Sequence, residues 1–153
     1  MSTLSEPLAI ALGDPSGIGP EIILGAWARL KAAGALPPLF VVGGPQVLAA
    51  AAEHAGIDCP LVPIADPAEA LFASAAGLPV MAGLDARYTP GAPSTDGARL
   101  AFASLSWATR FALSGVASGL VTAPVSKAAL AAIGFDYPGQ TEFLADACAL
   151  PYR

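Results

Sequence analysis

Continuously apolar runs of strand length, each leading into a glycine or proline and then a helix-period segment, predict an α/β fold: a mainly parallel sheet flanked by helices. Three observations carry this. The strand candidates are apolar without interruption, as in strands covered on both faces, rather than alternating. The helical segments open on Pro20, Pro45 and Pro124, the residue suited to the first position of a helix. Strands and helices alternate through short loops, the pattern that parallel crossovers require.

Taken in order, Leu8 to Leu12 is the first strand and runs directly into the loop Gly13 to Glu21. Beyond the loop, Ile22, Ile23, Ala26, Trp27 and Leu30 recur at helical spacing up to a stop at Gly34. Leu39 to Val42 is a second strand, Gly43 and Gly44 turn the chain, and an alanine-rich helix runs from Pro45 to Gly56. The proline- and glycine-rich stretch Pro60 to Pro93 predicts short strands at Leu61 to Ile64 and Pro79 to Ala82, with a helix over Pro67 to Ala75 between them. Thr95 and Asp96 are the expected caps of a long helix carrying Leu100, Ala103, Leu105, Trp107, Ala108, Phe111 and Ala112, which ends at Ser114 and Gly115. Leu120 to Thr122 closes a third strong strand. A helix from Pro124 to Ile133 follows, then a last one over Thr141 to Leu150, stopped by Pro151.

A chain of 153 residues suits one domain, a single α/β unit over residues 1–153. It is 55% hydrophobic and only 12% charged, against roughly 25% charged in an ordinary soluble domain. Two readings fit this apolar excess: small residues scattered over an alanine-rich surface, or a face that belongs against another segment or subunit. The net charge of -5 and the dispersed seven basic residues argue against a nucleic-acid partner. No apolar run reaches membrane-spanning length and Met1 to Pro7 is not a signal sequence, so no membrane partner and a cytoplasmic location are expected.

In an open α/β sheet the ligand site lies past the carboxyl ends of the strands, which directs attention to three places. In the first, GDPSGIGPE, Gly13, Gly17 and Gly19 permit positive φ and close backbone approach to a ligand. This is neither a dinucleotide GxGxxG fingerprint nor a Walker A loop. Asp14 would repel a bare phosphate and is better suited to orienting a ribose or substrate hydroxyl. In the second, TAPVSK, Thr122, Ser126 and Lys127 are candidate anion contacts beside a helix start, or else Ser126 and Lys127 are ordinary first-turn residues. In the third, PGQTE, Thr141 reads as an N-cap and Glu142 as a first-turn acid.

Elsewhere the sequence offers little chemistry. His54 is the only histidine and reads as a solvent-facing helix residue, so no histidine-based metal site can be assembled within this chain. Cys59 and Cys148 lack any metal or CxxC spacing and read as small buried or half-buried apolar residues. There is no GxSxG and no HExxH, which removes the usual hydrolase readings.

Together GDPSGIGPEI, GLVTAPVSKAAL and FDYPGQTEFLA, with TPGAPSTDGARLA ahead of the long helix, resemble in order and spacing the 4-hydroxythreonine-4-phosphate dehydrogenase family of pyridoxal phosphate biosynthesis. The resemblance implies a fold similar to isocitrate and isopropylmalate dehydrogenases, of which this chain corresponds to a truncated, N-terminal part. It further implies a homodimer and NAD-dependent oxidation of the secondary alcohol of a small phosphorylated hydroxy amino acid, with decarboxylation of the resulting keto acid. A divalent metal polarises the oxygen in such chemistry, and the family's histidine ligands correspond to no residue of this chain.

The family's substrate-binding pair in its GHTE segment falls on Gln140 and Thr141, so glutamine replaces the usual histidine. Glutamine donates and accepts hydrogen bonds but carries neither charge nor a transferable proton. The resemblance leaves open relatives acting on other hydroxy acid phosphates or on ring dihydrodiols, and a binding module without redox chemistry.

Overall fold

The computed structural model describes residues Glu6 to Ala149, so the expected stop at Leu150 and Pro151 and most of the N-terminal segment lie outside the described residues. Five parallel strands, β1 (Leu8–Ala11), β2 (Leu39–Val42), β3 (Leu61–Ile64), β4 (Leu78–Met81) and β5 (Gly119–Thr122), form one sheet in the order β3-β4-β2-β1-β5. The register sets Leu8 beside both Leu39 and Gly119, and Ala11 beside Val42 and Thr122.

The helices are α1 (Gly19–Ala32), α2 (Pro45–Ala55), α3 (Ala70–Ala73), α4 (Thr95–Leu113), α5 (Lys127–Ala132) and α6 (Gln140–Ala147). The side-chain alternation of β1 and β2 divides the core into two layers. Ile10, Leu12, Leu39 and Val41 meet Leu24 and Trp27 of α1 and Val47 and Leu48 of α2 on one face. Ala9, Ala11, Phe40 and Val42 meet Ala70, Leu105 and Ala108 of α3 and α4 on the other.

The expected α/β class and strand positions hold, with instructive departures. The helix expected over Pro67 to Ala75 is a 3-10 turn, Pro67–Glu69, followed by the short α3. Asp66 and Glu69 close a reciprocal capping box around that turn, which fixes its tight start. The cap of α4 is Ser94, whose hydroxyl accepts from the Gly97 N–H at 3.0 Å, rather than Thr95 or Asp96. Nor does a helix begin at Pro124: α5 starts three residues later, capped by Ser126, whose hydroxyl accepts from the Ala129 N–H. Coverage on both faces applies to β1 and β2 but not to β5, where Val121 is 47% exposed. Cys59 is buried in the α1/α2 layer and its thiol is pushed up to about 11 by desolvation, whereas Cys148 is exposed rather than half-buried.

Beyond Ala11 and Val42 the pairing of β1 with β2 stops. A side chain from α4 takes over: the Leu12 N–H donates to Ser104 Oγ at 2.8 Å, and the same hydroxyl donates to the Val42 carbonyl at 2.6 Å. Ser104 is fully buried, so neither backbone group has water as an alternative partner.

α6 is docked by aromatic contacts. Phe143 lies 5.8 Å from Phe102 of α4 and 5.9 Å from Phe135, and Tyr137 donates from its hydroxyl to Asp146 at 2.6 Å. These contacts carry Gln140, the first residue of α6, to the carboxyl end of β5.

Replacing Ser104 by alanine is expected to lower the unfolding free energy by about 2 kcal/mol, the cost of orphaning a buried donor and acceptor together. Urea titration of the Ser104→Ala and Ser104→Thr variants checks this. Threonine, which keeps the hydroxyl, should lose less than alanine.

Candidate functional site

The strand order identifies a crevice. β1 connects through α1 to β2 on one side, while β5 lies against β1 on the other, and the loops following β1 and β5 lead to different helix layers, α1 packing with α2 and α5 with α4. All three motif loops converge there on Ala123 and Pro124. The Asp14 N–H donates to the Pro124 carbonyl at 2.9 Å, and Gln140 Nε2 reaches the Ala123 carbonyl at 3.4 Å.

The three loop glycines, each able to take positive φ, have different roles. Gly13 alone takes it, at 76°, and a Cβ there would stand 2.5 Å from the Pro124 carbonyl oxygen. Gly19 lies in ordinary φ space, but a Cβ would meet the Leu12 carbonyl oxygen at 2.7 Å and the Ala123 side chain at 3.2 Å. Gly17 has only ordinary contacts, the nearest at 3.5 Å.

Asp14 is buried. Its Oδ1 accepts from the Ser16 N–H at 2.8 Å and the Ser16 hydroxyl at 2.7 Å, while the Gly17 N–H turns back to the Asp14 carbonyl at 3.0 Å. The Ser16 and Gly17 amides are thus used within the loop, while no side chain caps the start of α1 at Ile18.

The α6 end of the crevice is different. Gly139 is the N-cap of α6 and no side chain caps it, so Thr141 is a first-turn residue and not the expected cap. Lys127, the first residue of α5, places its Nζ 3.8 Å from where a Gly139 Cβ would be, with Glu142 Oε2 at 3.2 Å from the same point. The Lys127 ammonium, the Glu142 carboxylate and the uncapped N–H groups of α6 thus lie close together at this corner. Gln140 faces inward; its Oε1 is buried without a hydrogen-bond partner, its orientation being set by the bond from Nε2 to Ala123. Thr141 is exposed. Thr122 does not join this corner: it lines an apolar groove beneath α1.

Sequence reasoning missed a strap formed by residues 82–94, which crosses the carboxyl ends of β2 and β1. It is tied by the Gly44 N–H to the Leu84 carbonyl at 2.7 Å, the Gln46 N–H to Asp85 at 2.9 Å, and the Gly91 N–H to the Ser16 carbonyl at 2.8 Å. Midway, the Tyr88 hydroxyl donates to Glu21 Oε1 at 2.5 Å, while Glu21 Oε2 is buried without a partner. Desolvation, with the bond to Glu21, pushes the Tyr88 phenol up to about 12. No spacing signal links residues 67 positions apart.

His54 is exposed on α2 and stacks edge-on against Tyr88 at 5.8 Å. Among the described residues no group of three or more His, Cys, Asp or Glu side chains is placed to hold a metal ion. The residues present therefore do not fit a divalent metal. Among the described residues no helix is long and apolar enough to cross a membrane.

Residues 35–152 match the family model described as pyridoxal phosphate biosynthetic protein PdxA. The chain is 54% identical over 151 residues to a 4-hydroxythreonine-4-phosphate dehydrogenase of Erythrobacter litoralis, covering 99% of this chain and 45% of the relative. A protein of the same description from Zymomonas mobilis is 46% identical, with 95% and 42% of the two chains covered. Among solved structures, a 4-hydroxythreonine-4-phosphate dehydrogenase from Burkholderia phymatum superposes with a TM-score of 0.84 at 28% identity, over 97% of this chain and 45% of that one. One from Klebsiella pneumoniae gives 0.77 at 34% identity, covering 94% and 44%. The chain thus spans less than half the length of the relatives it matches.

Two outcomes follow from the geometry of the crevice. Gly13→Ala is expected to cost about 2 kcal/mol or more, through left-handed backbone strain and the clash with Pro124, while Gly17→Ala should be nearly neutral; thermal denaturation of both variants checks the contrast. Tyr88→Phe should cost about 1–2 kcal/mol by leaving Glu21 Oε1 unpaired as well. The alkaline limb of stability supplies the second measurement. Between the ordinary phenol value of 10.0 and about 12, the unfolded chain has released the Tyr88 proton and the folded chain has not. Stability therefore falls as pH rises through that window and is unaffected by this group below it, a slope that the phenylalanine variant should lack.

Proposed function

Because the chain belongs to the PdxA family of pyridoxal phosphate biosynthetic proteins, we propose that it supplies the substrate-anchoring part of a dehydrogenase acting on a small phosphorylated hydroxy amino acid. The substrate is 4-hydroxythreonine-4-phosphate, oxidised at its secondary alcohol with decarboxylation, as part of pyridoxine 5'-phosphate synthesis. The observation that carries this reading is the uncapped start of α6 with Lys127 beside it, at the switch point of the sheet.

Within this reading Lys127 and the first N–H groups of α6 take the anionic end of the substrate, and Thr141 offers its exposed hydroxyl. Gln140 positions rather than transfers protons: an amide cannot titrate, so its contribution does not change with pH. Asp14, Gly17 and Gly19 act indirectly by holding the loop closed behind this corner, and Thr122 ends the strand that delivers Ala123.

NAD, as the family's hydride acceptor, supplies the redox chemistry when bound. The Asp14, Ser16 and Gly17 amides are already hydrogen-bonded, and among the described residues there is no cluster of three or more His, Cys, Asp or Glu side chains. The cofactor and metal sites are therefore assigned to the part of the family fold that this chain does not span, and the chain alone is inactive. A homodimer in the complete family protein and a cytoplasmic location belong to the same proposal.

The 153-residue chain alone should bind 4-hydroxythreonine-4-phosphate by calorimetry yet produce no NADH. Lys127→Gln should weaken that binding about tenfold, the worth of one charge-assisted contact. Binding that is indifferent both to Lys127→Gln and to removal of the phosphate would sink the assignment. Unaided NADH production would sink the division of labour.

A further inference from the structure

The strap of residues 82–94 is held unequally along its length. Its first part is anchored on the start of α2: the Leu84 carbonyl accepts from the Gly44 N–H at 2.7 Å, Asp85 accepts from the Gln46 N–H at 2.9 Å, and Leu84 packs against the core. A Cβ on Gly43 would stand 3.0 Å from the Leu84 side chain, so the fit there is tight.

From Arg87 onward the anchoring is sparse. Arg87, Pro90, Gly91, Ala92 and Pro93 are exposed, and the bonds between Thr89 and Ala92 close a turn within the segment without tying it down. Among the described residues two hydrogen bonds join residues 87–93 to the rest of the molecule. They run from the Gly91 N–H to the Ser16 carbonyl at 2.8 Å and from the Tyr88 hydroxyl to Glu21 Oε1 at 2.5 Å. The Tyr88 ring packs at the margin of the core, edge-on to His54. Hollows flank the segment on both sides, one of about 320 Å³ lined in part by Ala50 of α2 and one of about 810 Å³ lined in part by Arg99 of α4. Gly91 takes φ 74° although a Cβ there would meet nothing within 4 Å, so glycine serves the backbone at this position and not the packing. Few packed neighbours and an exposed backbone mark a segment that opens well below the free energy of global unfolding.

We infer that residues 87–93 form a flap over the glycine loop, latched by Tyr88 on Glu21, which opens as a unit while the sheet and the first part of the strap stay folded. Both holding points belong to the segment that follows β1: Ser16 lies in the loop, and Glu21 in the first turn of α1. Opening therefore bares the Ser16 carbonyl and the Glu21 carboxyl together, at the carboxyl end of the sheet. Glu21 Oε2, buried without a partner while the flap is shut, gains water when it opens, which lowers the cost of opening. The inference rests on the strap's geometry and is independent of the substrate assigned above.

Amide exchange of the chain, followed residue by residue at urea concentrations below the unfolding transition, tests it. The Gly91 amide should exchange at a rate almost independent of urea, because a small opening exposes little surface. The amides of Gly44 and Ile10 should instead quicken as steeply as global unfolding requires. Tyr88→Phe keeps the ring and removes only the hydroxyl. It should speed the Gly91 amide at least about tenfold, the worth of one hydrogen bond to a carboxyl group. A Gly91 amide that follows urea as steeply as Gly44 and Ile10 do overturns the flap. An unchanged Gly91 rate in the phenylalanine variant overturns the latch.

Discussion

The close approach of the loop after β1 to the loop after β5 is the constraint on which the rest of the structure depends. Gly13 and Gly19 have no side chains because Pro124, Ala123 and the Leu12 carbonyl occupy the space a Cβ would need. The bond from the Asp14 N–H to the Pro124 carbonyl locks that contact. With Gly19 held there, α1 leaves the sheet at a fixed angle, and Ala123 presents its carbonyl to Gln140. The start of α6 thus inherits its position from a backbone packing contact far more than from any charged pair.

A sheet that opens at its carboxyl end must replace the ladder bonds it loses there. It does so with Ser104, inserted from α4 between Leu12 and Val42, and with the strap tied across Gly44, Gln46, Glu21 and Ser16. The two Ser104 bonds are buried, so breaking one partner there costs more than the bond itself contributes, whereas the strap's side-chain ties are part-buried or exposed.

The strands and the first two helices were legible because their signals are local: uninterrupted apolar runs, and proline or glycine at the boundaries. The place of the site was legible too, since strand ends in an open α/β sheet direct attention to Gly13, Thr122 and Gln140. Caps were not. Ser94, Thr95 and Asp96 are all good caps by type, and the packing of Gly97 and Pro15 against one another favours a helix that starts from Ser94. The three loop glycines look equivalent in sequence, yet Gly13 is distinguished by Pro124, more than a hundred positions away, and Gly19 by the Leu12 carbonyl and Ala123. Ser104 and Tyr88 act across separations of 92 and 67 residues, where no periodicity reaches.

The low charge of the chain has two physical explanations, and each applies in a different region. Phe72 stands exposed by itself, and the ring of Trp107 is partly covered by Arg110 at 5.6 Å, the ordinary pattern of isolated apolar exposure. Ile22 and Val121 instead line one groove, next to an unguarded strand edge. Scattered exposure costs a solvated domain little, because each side chain is surrounded by polar atoms; contiguous exposure invites association. The same asymmetry separates β3, whose exposed Pro63 discourages pairing, from β5, which carries no such guard. Contiguous apolar exposure is thus found beside β5, and the start of α6, with Lys127 near it, lies past the end of that same strand.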